Sequence, residues 1–177
     1  MIGRQGLTQS RLLEAFAAAG AHSPTSHLTT GNVLFTATVD GPSVLQTRVE
    51  DRIAEILGRR EAVFIRALDT LRAYQAADPF ATFADTDIYE RIVVFTGQPV
   101  SGVRLPIVSP RGDTEIFATT GSDLFAITRR IGGRPGTPGS IVEKTLGRAA
   151  TTRNWNTVEH LLRRSSARSA AATNRGT

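Results

Sequence analysis

Residues 115–128 read EIFATTGSDLFAIT, two stretches of similar length on either side of TGSD. Residues 115–119 and 124–128 are rich in β-branched and aromatic side chains, which strands favour. Gly121, which lies between them, can adopt the positive φ that tight connections need. The stretch therefore predicts an antiparallel β-hairpin.

Further strands and helices are predicted on both sides of this hairpin. Residues 92–96 form an uninterrupted apolar run, which is typical of a strand inside a sheet. Before them, a short helix over residues 71–77 ends where a proline disfavours helical geometry for the residue ahead of it. After the hairpin, a Gly/Pro loop over residues 132–139 leads to a helix over residues 140–146. The second half of the chain is thus predicted as α-β-β-β-α, followed by a terminal helix.

The first third of the chain predicts the order α-β-β-α-β. Thr8 can cap a helix that runs to about Ala19, and Asp40-Gly41-Pro42 opens a second helix that ends at Gly58. The three predicted strands cover residues 26–28, 33–39 and 62–67. The terminal helix of the second half is predicted to begin near Trp155.

Composition limits the classes of protein that this chain can represent. It has 177 residues, 40% of them hydrophobic, and no cysteine, which excludes disulfide scaffolds, thiolate metal sites and thiol nucleophiles. The longest apolar runs are a few residues, far short of the roughly 20 needed to cross a bilayer. We therefore expect a soluble cytoplasmic protein with no membrane contact.

The positive charge is concentrated at one end of the chain. Lys and Arg number 21 against 16 Asp and Glu, which gives a formal net charge of +5. Four of these charges come from arginines within residues 163–177, where there is no acidic residue. The remainder of the chain is nearly neutral. Residues 165–177 consist of Ser, Ala, Thr, Asn, Gly and Arg, which bury too little apolar surface to offset the entropy of ordering, so we predict a disordered tail in preference to a nucleic-acid contact.

One segment near the C-terminus resembles a known family. Residues 150–158 read ATTRNWNTV, with supporting stretches TGNVLF at residues 30–35, DPF at residues 78–80 and LG at residues 146–147. These residues resemble the bacterial family called domain of unknown function 1697. The resemblance implies a two-part α+β fold with ferredoxin-like βαββαβ subdomains and a C-terminal helix. It implies no reaction.

Two departures from the family pattern shape the expected domains. Members of the family typically start with a strand and an Arg-Gly-Ile-Asn-Val-Gly-Gly segment, so the first subdomain, residues 1–67, is expected to lack its opening strand, with a native start further upstream. The second subdomain covers residues 68–164, ahead of the predicted tail. Where the family usually shows Arg-Ser-Lys, this chain has Arg134-Pro135-Gly136, so the hydroxyl and the ammonium are absent.

The Gly/Pro loop is a first candidate for ligand binding. Arg129, Arg130 and Arg134 flank it or lie within it, and a helix follows. Free amides at a helix N-terminus together with guanidinium groups can hold an anion. The spacing matches neither a phosphate-binding loop nor a dinucleotide fingerprint. A plain connection ended by prolines is the alternative, and no cofactor is predicted.

The residues Arg153, Asn154, Trp155 and Asn156 are the second candidate. A guanidinium, two amides and the only Trp can stack on a base and form hydrogen bonds with it. In the alternative, Thr151 or Thr152 caps the last helix, Trp155 is buried, and the amides bind loop carbonyls. Exposure distinguishes the two, because a ligand requires a solvent-lined cleft that these residues share with Arg134.

Three functions stay open at this point. A noncatalytic module would bind a nucleotide, a nucleic acid or another anion through Arg134 and residues 153–156. An enzyme would use the same pocket, although the sequence shows no nucleophile and no Gly-x-Ser-x-Gly elbow. A structural or protein-interaction domain would use the unusual residues for packing. No metal site is predicted, since the separation of His22 and His27 fits no common face and the acidic loop near Asp85 lacks a calcium-binding pattern.

Overall fold

The computed structural model describes residues 6–27, 31–36, 41–84, 86, 88–133 and 136–173, with side chains to residue 167. The chain forms two compact units, Met1–Arg66 and Ala67–Thr177, and the predicted boundary lies after Ala67. Both units mix helices with an antiparallel sheet. None of the helices among the described residues combines the length and the apolar character needed to cross a bilayer.

Within its described residues, the first unit contains two helices and a two-stranded sheet. Its elements are α1 (Gln9–Ala18), β1 (His22–His27), β2 (Asn32–Thr36) and α2 (Pro42–Leu57). The Thr8 hydroxyl accepts a hydrogen bond from the Arg11 amide at 3.3 Å and so caps α1 as predicted. Strands β1 and β2 pair antiparallel. One apolar cluster joins the inner faces of both helices through Leu12, Phe16, Leu45, Val49 and Ile53.

The predicted strand over residues 62–67 is wrong, because the structure assigns no strand to these residues. The Val63 amide donates to the Glu50 carboxylate at 3.0 Å, so a side chain of α2 satisfies a backbone donor that a strand would use in its ladder. Val63 and Ile65 still pack against the core of this unit. Their apolar character serves packing and not strand pairing. The prediction that this unit lacks its opening strand concerns the start of the chain, which lies outside the described residues, and it stays a prediction.

The second unit has a five-stranded sheet in the order β4-β5-β6-β3-β7, with every neighbouring pair antiparallel. Its elements are α3 (Leu68–Ala77), β3 (Glu90–Thr96), β4 (Ile107–Val108), β5 (Thr114–Thr120), β6 (Asp123–Thr128), α4 (Pro138–Leu146), β7 (Ala150–Asn154) and α5 (Trp155–Thr173). The hairpin of β5 and β6 confirms the prediction, with Gly121 at φ 62° in the connection. The interior strand is also confirmed, since β3 lies between β6 and β7.

Helices cover both faces of this sheet. Ile92 and Val94 of β3 belong to a buried cluster that includes Val142 of α4. Successive side chains of a strand point to opposite faces, so Val93 and Phe95 face the other way. On that second face Phe125 of β6 packs against Phe80 and Trp155, beneath α3 and α5. The sheet is therefore buried on both sides along β3.

The C-terminal segment differs from the prediction in two places. Residues 150–154, to which the sequence assigned no strand, form the edge strand β7. Helix α5 then continues to Thr173, well into the predicted disordered tail. Ser165 is buried, and its hydroxyl donates to the Leu162 carbonyl at 2.7 Å and accepts from Arg72 of α3 at 3.3 Å. These contacts hold part of the predicted tail against the second unit.

Candidate functional site

Strand β7 places the residues of the second sequence candidate at the edge of the sheet. Arg153 lies opposite Val93, and Asn154 lies opposite Ile92, in an antiparallel ladder with β3. The strand ends at Asn154, and α5 begins at the next residue. The residues that the sequence groups together therefore belong to two different elements.

Arg153 is half-buried and bonded to its own strand. Its Nη1 donates to the Thr151 hydroxyl at 2.9 Å and to the Thr152 carbonyl at 2.8 Å. Burial lowers the pKa of the Arg153 guanidinium, because the charged form loses contact with water. The guanidinium thus stabilises β7 from one side of the strand.

Asn154 caps the last helix. Its Oδ1 accepts a hydrogen bond from the Asn156 amide at 3.0 Å, the bond that an N-cap residue makes to the second residue of the helix. The predicted cap at Thr151 or Thr152 is wrong, because both residues lie within β7. The Asn156 side chain is exposed. One of the two amides therefore has a structural partner, and the other faces solvent.

Trp155 lies in an aromatic cluster. It is 6% exposed, and its ring centroid is 5.4 Å from that of Phe80 and 6.2 Å from that of Phe125. Phe80 belongs to the DPF stretch that carried part of the family resemblance, so packing brings two of those stretches together. These contacts favour the structural interpretation of Trp155.

A carboxylate of the protein itself, Asp113, holds the Gly/Pro loop at Gly136. Asp113 is 1% exposed, and it accepts hydrogen bonds from the Ser109 hydroxyl at 2.6 Å, the Gly136 amide at 3.1 Å and the Arg111 guanidinium. The Ser109 bond is the main reason that the pKa of Asp113 lies below its ordinary value. A Cβ at Gly136 would lie 2.6 Å from the Thr114 hydroxyl, so only glycine fits there. Arg134 lies outside the described residues.

An open groove lies where the Gly/Pro loop leaves β6. Its volume is about 500 Å³, and its lining residues are Thr86, Ile88, Tyr89, Arg129, Arg130 and Ile131. Arg129 and Arg130 were part of the first sequence candidate, whereas Tyr89 and Ile131 were not. The Tyr89 amide donates to the Thr128 carbonyl at 2.7 Å, which joins the start of β3 to the end of β6. The groove therefore has two walls that the sheet holds together.

Arg130 and Tyr89 form the centre of this groove. The Arg130 guanidinium carbon lies 4.5 Å from the centroid of the Tyr89 ring, a cation–π arrangement. The Tyr89 side chain is 46% exposed and Ile131 is 45% exposed. A cation, an aromatic face and an apolar side chain are therefore all accessible to a ligand.

Arg129 has a different environment from its neighbour. Its guanidinium pairs with Glu115 at 2.9 Å, and both side chains are mostly buried. Its amide donates to the Asp113 carbonyl at 2.8 Å. Because Arg129 is fixed on both sides and its charge is balanced by Glu115, Arg130 supplies the net charge among the six described residues that line the groove.

Comparison with known proteins places the chain in a family. The family described as "Protein of unknown function (DUF1697)" matches residues 1–125, more than half of the 177 residues. The chain belongs to this family. The DUF1697 resemblance inferred from the sequence is thereby confirmed. The matched range ends before residues 150–158, so the role of that segment as a family hallmark stays a prediction.

The fold of this DUF1697 protein is similar to that of a solved structure, the conserved bacterial protein SP0830 from Streptococcus pneumoniae. The two chains are 16% identical, the likeness covers 91% of this chain and 90% of the other, and the TM-score is 0.58. At this identity the likeness shows the fold alone. A comparison with curated proteins finds no match.

Proposed function

We propose that this DUF1697 protein is a noncatalytic module that binds an anionic ligand, a nucleotide or a nucleic acid, in the groove around Tyr89 and Arg130. The observation that carries the proposal is the Arg130 guanidinium, 4.5 Å from the centroid of an exposed aromatic ring at the wall of an open groove. An exposed guanidinium can donate two hydrogen bonds to one phosphate. The groove thus combines charge recognition with a flat apolar surface.

The lining of the groove favours binding over catalysis. It consists of two arginines, a tyrosine, a threonine and two isoleucines. General bases and nucleophiles in enzymes are drawn from His, Cys, Ser, Thr, Lys, Tyr, Asp and Glu. Of these types the six described lining residues include only Thr86 and Tyr89, whose hydroxyls need a neighbouring base to activate them as nucleophiles, and none of the six is His, Lys, Asp or Glu. The Glu115 carboxylate, which contacts the lining residue Arg129, is held in an ion pair with it. These residues suit recognition of a ligand better than turnover.

The proposed site overlaps the sequence candidates only in part. The site includes Arg129 and Arg130, the two arginines that precede the Gly/Pro loop. Ligand contacts by Arg134, Arg153, Asn154, Trp155 and Asn156 stay predictions. The cap made by Asn154 and the aromatic packing of Trp155 favour a structural role for those two residues.

We also propose that the second unit is a variant of the ferredoxin-like fold. The antiparallel order β5-β6-β3-β7 supports this, because a βαββαβ sheet has its first strand between the third and the fourth. Helix α4 takes the place of the second crossover helix. A helix before β3, and the short strand β4 in place of the first crossover helix, are the differences.

The test is equilibrium binding to the purified full chain. Inorganic phosphate, tripolyphosphate, AMP and a thymidine oligonucleotide are titrated by calorimetry at low salt, and thermal unfolding is followed in parallel. A ligand that binds the native state raises the melting temperature. We expect at least one of these anions to bind, with Arg130→Gln weakening it about tenfold or more, since hydrogen bonds to charged groups contribute about 1.5–3 kcal/mol.

The matched control is Arg104→Gln, which removes the same charge from an exposed loop position outside the groove. This variant should bind like the native chain. If Arg104→Gln weakens binding as much as Arg130→Gln, the effect is one of net charge and the groove is not the site. If none of the four anions binds, the proposed function fails.

A further inference from the structure

We infer that the ligand of the groove carries a planar ring beside its phosphate, so that the groove recognises a nucleobase-bearing phosphate and not a bare phosphate or a polyanion. This inference rests on the proposed function and specifies its ligand class. Three features of the described residues support it: the exposure of apolar side chains, the geometry of the cation–π pair, and the balance of charge.

The exposed apolar side chains are unevenly distributed. Among the described residues, the large hydrophobic side chains that face solvent are Val44, Tyr89, Val108 and Ile131. Two of these four line the same groove. Single exposed apolar residues are ordinary, but neighbouring ones at a concave site mark a binding surface. A phosphate ion alone gains nothing from such a surface, whereas a base would cover it.

The cation–π pair offers a stacking platform. Arg130 covers one face of the Tyr89 ring, so a base would stack on the opposite face of the ring or on the outer face of the guanidinium, since both planes can stack on a base. Because the amide of Tyr89 is hydrogen-bonded to β6, the ring projects from a fixed point of the sheet. A nucleotide whose base stacks here would also bring its phosphate close to the N–H donors of the Arg130 guanidinium.

The charge of the groove suits one phosphate better than many. Glu115 balances Arg129 at 2.9 Å, and no ion pair involves Arg130 among the residues that the structure describes. One uncompensated cation predicts a weak salt dependence, with a slope of log K against log salt concentration of about −1 or shallower. A polyanion site would need several such cations and would show a steep slope.

The size of the groove agrees with a single nucleotide. Its volume of about 500 Å³ lies within the roughly 300–1,000 Å³ of ordinary small-molecule sites. A base beside a phosphate occurs both in a free nucleotide and in each residue of a single-stranded nucleic acid. The experiment therefore compares AMP with a thymidine oligonucleotide, and both with inorganic phosphate and tripolyphosphate.

The decisive variants are Tyr89→Leu and Tyr89→Phe. Leu keeps an apolar side chain but removes the ring, whereas Phe keeps the ring and loses only the hydroxyl. We expect AMP to bind at least tenfold more tightly than inorganic phosphate, Tyr89→Leu to weaken AMP about tenfold, and Tyr89→Phe to bind like the native chain. Binding of inorganic phosphate should not change in either variant.

The outcomes separate this inference from the proposed function. If tripolyphosphate binds in an Arg130-dependent manner while AMP gains nothing from Tyr89, the groove binds anions and the ring inference is overturned. If no anion binds, both fail. Equal affinity for AMP and for the oligonucleotide per site supports a free nucleotide as the source. A much tighter oligonucleotide supports a single strand if Tyr89→Leu weakens it as much as it weakens AMP; without that loss the groove binds a polyanion and the ring inference is overturned.

Discussion

Two regions of the second unit contain the residue types that ligand sites use, and they use them in opposite ways. In residues 150–156, Trp155 is enclosed by two phenylalanine rings, Asn154 caps a helix, and Arg153 donates to its own strand. In the groove, Tyr89 and Ile131 face solvent. The same kinds of side chain thus stabilise the fold in one region and remain available to a ligand in the other.

The difference teaches that residue type alone does not identify a binding site. Aromatic rings, amides and guanidinium groups are the side chains that recognise nucleotides, and they are also those that anchor, cap and brace a fold. What separates the two uses is solvent exposure after folding. Substitutions of Arg153, Asn154 and Trp155 should therefore change stability, whereas substitutions in the groove should change affinity.

The largest expected effect is that of Trp155→Ala. Loss of a buried aromatic side chain costs about 3–5 kcal/mol, and Trp155 loses its contacts with Phe80 and Phe125. The measurement is urea unfolding followed by far-UV circular dichroism. Tyr89→Ala, at an exposed position, should change the unfolding free energy by less than about 1 kcal/mol.

Trp155→Phe keeps the experiment informative if the alanine variant does not fold. Phenylalanine retains part of the packing, so its cost should be smaller than that of alanine. A stable Trp155→Ala protein that loses AMP binding would reverse the comparison, because it would make residues 150–156 the ligand site.

A smaller effect is expected for Asn154→Ala. Removal of an N-cap side chain costs about 1 kcal/mol. The Asn154 Oδ1 accepts a hydrogen bond from the Asn156 backbone amide at 3.0 Å, and this bond is lost in the alanine variant. Asn156→Ala is the matched control, because it removes an exposed amide two residues along and should change the unfolding free energy by less than about 0.5 kcal/mol. Equal losses for the two variants would show that the cap is not what Asn154 contributes.

The sequence predicted the elements whose signals are local. The hairpin of residues 115–128 carries its turn residues between two strand-like stretches, and Thr8 precedes an amphipathic run. Strand β7 was missed because Thr-Thr-Arg-Asn has no apolar alternation, and its pairing with β3 joins residues far apart in the chain. The strand over residues 62–67 was predicted from apolar content that serves packing against the first unit's core.

Only some of the residues that line the groove could be predicted from the sequence. Arg129 and Arg130 stand out in the sequence because they precede the Gly/Pro loop. Tyr89 joins them because Glu90 pairs with Thr128 across the β3–β6 ladder, which places the residues just outside that pair side by side. Once both strands are predicted, an antiparallel pairing of 90–96 with 123–128 would have suggested this neighbour. The exposure of the Tyr89 ring depends on the surrounding loops and has no sequence signal.

The smallest effect concerns the Gly/Pro loop and appears only in acid. Hydrogen bonds from Ser109, Arg111 and Gly136 hold the pKa of Asp113 below its ordinary value. A carboxyl group with a lowered pKa in the folded state stabilises the protein above its unfolded-state pKa, and that stabilisation is lost as the pH falls through the folded-state pKa. The native chain should therefore lose unfolding free energy between about pH 4 and the lower pKa of the folded state.

Asp113→Asn tests whether this carboxylate is the anion that the Gly/Pro loop binds. The amide cannot ionise, so the difference in unfolding free energy between native and variant chains should be constant near neutral pH and should shrink below about pH 4. Urea unfolding at several pH values from about 5 to about 2.5 measures it. Parallel curves for the two chains would mean that Asp113 contributes no pH-dependent stability. The carboxylate charge would then not be what holds the loop, and the contrast between an internally satisfied loop and an open groove would be lost.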